Sequence, residues 1–108
     1  MQDGTIVLGR GYLHVWETEM KSERQLERIM KGVANHRRIA ILAMLRKEPE
    51  LSVDELSERF NVGMKTIAEH IRKLAIAGLV MKRHAGRRVR HRLTDRGNSV
   101  LQFLGSVQ

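Results

Sequence analysis

Seven consecutive residues, Ile39-Ala40-Ile41-Leu42-Ala43-Met44-Leu45, are apolar. A helix drawn through them has no polar side, so it is stable only when other elements surround it. The run is far shorter than the roughly 20 residues that span a bilayer, so it reads as the centre of a core, with no membrane anchor. Asn35 is placed to cap this helix, and Pro49 to close it after about Lys47. The rest of the 108 residues must pack around it as one domain.

The flanking patterns supply that packing. Residues 20–31 read as a helix, with Leu26, Ile29, Met30 and Val33 on one narrow stripe and Gly32 as an interruption. Ser52-Val53-Asp54-Glu55 has the form of a capping box and opens a third helix, with Leu56 and Phe60 inward. Asn61 tolerates the left-handed backbone that ends a helix sharply. Only Val62 and Gly63 then precede a fourth helix over about 64–77, with Ile67, Ile71 and Leu74 inward and Gly78 as its stop. Two helices joined so tightly form a helix-turn-helix. Beyond Gly78 the period changes to two, so that 79–83 and 88–93 read as strands around Ala85-Gly86-Arg87, with Leu79, Met81, Val89 and Leu93 on the inner side. Thr94 caps a last helix whose stripe is Val100, Phe103, Leu104 and Val107. The fold class expected is mainly α with a small β-hairpin, in the order of a winged helix-turn-helix. The domain spans 20–105, behind an N-terminal extension, 1–19, that is either a short β-hairpin or partly disordered.

The charge is concentrated in one stretch. Residues 61–96 hold ten Lys and Arg against only Glu69 and Asp95, whereas 1–60 balance ten cations with ten acids, so the formal net charge of +8 resides in 61–96. Such asymmetry favours a polyanionic partner. With no Cys, disulfides, thiolate metal sites and cysteine nucleophiles are excluded. The five His have no paired ligand spacing, and no glycine-rich phosphate loop or acid–base constellation marks an enzyme. No metal and no cofactor is expected, and the location expected is cytoplasmic.

In the recognition region, Asn61-Val62-Gly63-Met64-Lys65-Thr66-Ile67-Ala68-Glu69-His70-Ile71-Arg72-Lys73-Leu74 and Ala77-Gly78-Leu79-Val80 resemble the Gly-Val-Ser-x-Ser-Thr-Val-Ser-x-His-Leu-x-x-Leu and Ala-Gly-Leu-Val pattern of the ArsR-type winged-helix repressors. Ala34-Asn35-His36-Arg37-Arg38-Ile39-Ala40-Ile41-Leu42 is similar to that family's opening stretch, and Leu93-Thr94-Asp95-Arg96-Gly97 to the Leu-Thr-x-x-Gly entry of MarR-type regulators. The resemblance implies a dimeric DNA-binding repressor. It departs where many ArsR proteins carry Glu-Leu-Cys-Val-Cys-Asp-Leu, because this chain has Glu50-Leu51-Ser52-Val53-Asp54-Glu55-Leu56. A family-type metal sensor is therefore not expected.

With Ile67 and Ile71 inward, a 100° step per residue turns Lys65, Glu69 and Arg72 outward and sets Thr66, Ala68 and Lys73 on the flanks. A major groove admits such a helix, with Lys65, Thr66, Ala68 and Glu69 near base edges and Arg72 and Lys73 near phosphates. Glu69 either accepts from cytosine or orients Arg72 or Lys73. In the wing, Lys82, Arg83, Arg87, Arg88, Arg90 and Arg92 are cations uninterrupted by acid. Alternation places Arg88, Arg90 and Arg92 on one face, and Arg87 at the tip suits a narrow minor groove. Five to eight phosphate contacts per subunit would give a log K against log salt slope of roughly −4 to −7. The stripes Leu26, Ile29, Met30, Val33 and Val100, Phe103, Leu104 are the expected homodimer contacts. Trp16, Met20, Leu26, Met30 and Phe103 either pack the core or line an effector pocket. The competing readings are an architectural or replication-associated nucleic-acid module and a protein-interaction winged helix.

Overall fold

The computed structural model describes residues 22–108; the N-terminal extension, with Trp16 and Met20, lies outside them. The first described helix, α1 (Glu23–Val33), starts at a capping box: Ser22 Oγ accepts from the Gln25 N–H at 3.2 Å, and Gln25 Oε1 from the Ser22 N–H at 3.0 Å. It therefore begins later than the stripe alone suggests. It also runs through Gly32, where a Cβ would lie 2.5 Å from the Ala77 Cβ. Gly32 is a contact point between helices and does not break α1.

Helix α2 (His36–Lys47) starts as expected, with Asn35 Oδ1 accepting from the Arg37 and Arg38 N–H groups. Ile41, Leu42 and Leu45 are buried, while Ala43 is exposed; a single methyl costs little to leave in water. After Pro49 the chain turns through Glu50 at φ 74°, and Leu51 makes a single antiparallel bridge to His91. The Ser52–Glu55 capping box opens α3 (Val53–Phe60), and Asn61 closes it in the left-handed conformation, φ 52° and ψ 48°. Helix α4 (Met64–Ile76) follows after two residues, packing Ile67, Ile71 and Leu74 into the core.

The wing consists of β1 (Val80–Ala85) and β2 (Arg88–Leu93), antiparallel from Val80↔Leu93 to Ala85↔Arg88. Ala85 belongs to the strand, so the turn is only Gly86-Arg87. The inner face also differs from expectation. Leu79 precedes the strand, its N–H given to the Leu74 carbonyl and its own carbonyl accepting from Thr94. Leu79 is nonetheless fully buried, as expected; within the strands Val80 and His91 are the buried positions, and Met81, expected inward, is 49 % exposed.

Helix α5 (Asp95–Ser106) begins where Thr94 Oγ1 accepts from the Gly97 N–H at 3.0 Å and donates to the Gly78 carbonyl at 2.6 Å. A Cβ on Gly97 would stand 2.3 Å from the Leu79 oxygen. The Leu-Thr-x-x-Gly signature is thus a docking joint: the threonine ties the new helix to the end of α4, and the glycine lets it approach the backbone.

Candidate nucleic-acid interface

The burial of Ile67, Ile71 and Leu74 orients α4 as a whole. Lys65, Thr66, Ala68, Glu69, Arg72 and Lys73 are all exposed. Gly63 gives the helix no side-chain cap, so its first N–H groups end in the partial positive charge of an uncovered helix start. Glu69 forks Arg72, with Nε to Oε1 at 3.0 Å and Nη2 to Oε2 at 2.6 Å. This bond holds the Glu69 carboxyl below its usual range. Glu69 is thus paired with the guanidinium three residues on.

The register places Arg83, Arg88, Arg90 and Arg92 on one face of the wing, as alternation predicts, and Lys82 on the other. Their charge, however, is not unopposed. Glu50 Oε1 accepts from both Nε and Nη2 of Arg83, at 3.0 and 2.7 Å. Glu50 Oε2 lies 3.3 Å from Nε of Arg92, and its carbonyl accepts from Arg90 Nη1 at 3.0 Å. Arg88 Nη1 donates to Ser52 Oγ at 3.3 Å and lies 3.8 Å from a Glu55 oxygen and 3.9 Å from an Asp54 oxygen. The hydrogen bonds from Arg83, followed by the charges of Arg83, Arg92 and Arg90, keep the Glu50 carboxyl low. Of the six wing cations, Lys82, Arg87 and Arg90 have no ion pair among the described residues, and Arg90 is held by a backbone carbonyl. The acids responsible lie 33 to 42 positions upstream, so counting charges within 82–92 could not reveal them.

Two histidines and one arginine join this surface to the core. Arg38, only 8 % exposed, donates from Nε to the Gly32 carbonyl at 2.7 Å and from Nη2 to the Lys31 carbonyl at 3.4 Å, closing the C-terminus of α1. Its Nη1 reaches His70 Nδ1 on α4 at 3.3 Å. Since arginine only donates, that nitrogen is the imidazole's acceptor. Burial, and then the charges of Arg38, Arg37 and Lys73, lower the His70 pKa. Buried His91 bonds the Leu51 carbonyl through both Nδ1 and its backbone N–H, at 2.9 and 3.1 Å. Burial lowers its pKa, with the Leu51 bond opposing. Sequence patterning does not flag Arg38. Its signal is a cation immediately before the apolar run of α2, facing the end of the helix before it.

The terminal stripes divide. Val33 is 2 % exposed, packed within its own protomer against the core, so it is no dimer contact. Ile29, Val100 and Leu104 are half-buried on that core. Leu26 is half-buried, and Met30 and Phe103 are exposed. Ile76, at the end of α4, is 71 % exposed and floors a groove of about 350 Å³ between α1 and α4, rimmed by Arg28, Lys31, Arg72 and Lys73. Leu26, Met30 and Phe103, expected near any effector pocket, do not line it. Among the described residues there is no cluster of three or more potential metal ligands, and no helix is long and apolar enough to cross a membrane.

Residues 33–83 match the helix-turn-helix domain family, a span running from the end of α1 into the wing. The transcriptional activator HlyU of Vibrio cholerae is 34 % identical over 83 residues, 77 % of this chain and 75 % of that protein. The solved structure of reduced HlyU from Vibrio cholerae superposes with a TM-score of 0.70 at 31 % identity, covering 85 % of this chain and 96 % of that one. The homodimeric winged helix-turn-helix domain of Mb0332 from Mycobacterium bovis, a possible ArsR-family regulator, gives a TM-score of 0.68 at 28 % identity, over 82 % of this chain and 86 % of that one.

Proposed function

Because the chain belongs to the ArsR-type winged helix-turn-helix transcriptional regulators, which are DNA-binding proteins, we propose that it reads double-stranded DNA as a homodimer. Helix α4 enters the major groove and the wing lies on the flanking backbone. The observation that carries this reading is the division of α4 into a buried apolar face, Ile67, Ile71 and Leu74, and an exposed one carrying Lys65, Thr66, Glu69, Arg72 and Lys73. Lys65, Thr66 and Ala68 are its base-reading residues. Arg72, steered by Glu69, and Lys73 take phosphates. Arg87 at the turn and Lys82 are the wing's available cations, while Arg83, Arg88 and Arg92 must exchange carboxylate for phosphate, and Arg90 a backbone carbonyl, to contribute.

The domain over 20–105 dimerises through its terminal helices, with Met30 and Phe103 at the centre of the contact and Leu26, Ile29, Val100 and Leu104 beside them; the homodimeric Mb0332 domain supports dimerisation as such. Twofold symmetry then sets two α4 helices on half-sites about one helical turn apart. The protein works in the cytoplasm, without catalysis and without a thiolate metal site, by occupying its operator. Occupancy overlapping a promoter represses, and occupancy beside it permits the activation for which HlyU is named. Selection of bound sequences from a random duplex pool, with sedimentation of the complex, tests the proposal. It expects an enriched inverted repeat bound by two subunits. Equal recovery of all sequences, or a monomer on DNA, contradicts it.

A further inference from the structure

We propose that Glu50 is a specificity-determining residue, a clamp that holds the wing arginines in fixed directions and so withholds them from sequence-independent binding. The inference rests on duplex DNA being the wing's ligand. Glu50 occupies φ 74°, a region in which a Cβ is disfavoured, yet the residue there is not glycine. Its polar atoms are all engaged with the wing. The backbone N–H donates to the His91 carbonyl at 2.9 Å, the carbonyl accepts from Arg90, and the carboxylate spans Arg83 on β1 and Arg92 on β2. One carboxylate thus joins both strands on the face that carries most of the wing's charge.

Arg83 is held by the side edge of its guanidinium, Nε and Nη2, which leaves the Nη1 end pointing in one direction. A fixed guanidinium loses little rotamer freedom on binding, but it meets a phosphate only where the register set by α4 brings one to that edge. A freed arginine would reach a phosphate in any register. Nonspecific binding is carried by such phosphate contacts, so the clamp weakens it more than binding at the matched site.

The test measures wild type, Glu50→Gln and Glu50→Gly against a random-sequence duplex and the selected duplex, across a series of salt concentrations. Glu50→Gln should bind the random duplex about three- to tenfold more tightly at low salt, with a salt slope steeper by about 1 to 2. The selected duplex should change less, so the ratio of the two affinities contracts. Glu50→Gly, which suits the left-handed backbone, should shift binding in the same direction and serves if the glutamine variant folds poorly. Adding Arg83→Gln and Arg92→Gln to Glu50→Gln should abolish the gain. The proposal is overturned if the folded variants leave random-duplex affinity and slope unchanged, or weaken both duplexes alike. Wild type failing to bind any duplex would overturn the functional reading itself, a result separable from failure of the clamp alone.

Discussion

Helix α4 and the wing both present cations to solvent, and they hold that charge differently. The helix exposes Lys65, Arg72 and Lys73 with one local carboxylate, Glu69, three residues from the arginine it forks. The wing has twice as many cations, yet four of its six are engaged by Glu50, Ser52, Asp54 and Glu55 from a distant part of the chain. Charge count and available charge are thus different quantities. Exposed ion pairs of this kind contribute only about 0–1 kcal/mol to stability, so their significance lies in what they leave free to meet a phosphate.

The largest expected effect separates the two faces of α4. Ile71→Ala removes a buried side chain and should cost about 2–5 kcal/mol in chemical denaturation. Lys65→Ala and Thr66→Ala should leave the denaturation midpoint nearly unchanged while altering base preference by about 1–3 kcal/mol at the affected positions, read by repeating the duplex selection. If Lys65→Ala instead destabilised the fold as Ile71→Ala does, the division of the helix would be wrong.

Acidification should come next, and it bears on the joints that tie each of the two regions to the rest of the fold. His70 and His91 have lowered pKa values in the folded protein, so the unfolded chain takes up protons first. Their contribution to stability is complete above the unfolded value of about 6.5 and declines as pH falls below it toward the folded values. Denaturation midpoints measured between pH 7 and 5 should fall, and replacing His91 by Gln should flatten part of that dependence. The smallest effect compares cations within the wing. Arg87→Ala should reduce the salt slope by about 1 and weaken all duplexes similarly, whereas Arg88→Ala, whose guanidinium is already answered by Ser52 and the acids beside it, should change the slope less. Equal effects would mean that the ion pairs do not restrain the wing.

Features written in neighbouring residues were legible in the sequence. The Ser52–Glu55 capping box, the left-handed Asn61, the Asn35 cap, the buried stripe of α4 and the shared face of Arg88, Arg90 and Arg92 each depend on contacts within a few positions or on a simple period. The Ser22 capping box was equally local, but the apolar stripe drew the start of α1 toward Met20. Leu79 is fully buried, but from the turn before the strand, so alternation within β1 starts at Val80 and turns Met81 outward. Val33 shares its stripe with Met30, and only the packing of α1 on its neighbours shows that one is buried and the other exposed. The Glu50 clamp and the Arg38–His70 contact join residues more than 30 positions apart, and no local pattern encodes them.

Binding in this mode requires the exposed face of α4 to meet a duplex. Titrating isotope-labelled protein with its selected duplex and mapping the backbone amide shifts addresses this directly. The largest shifts should fall on residues 63–69 and on Gly86 and Arg87. Shifts confined to α1 and α5, with the first turns of α4 unmoved, would contradict it.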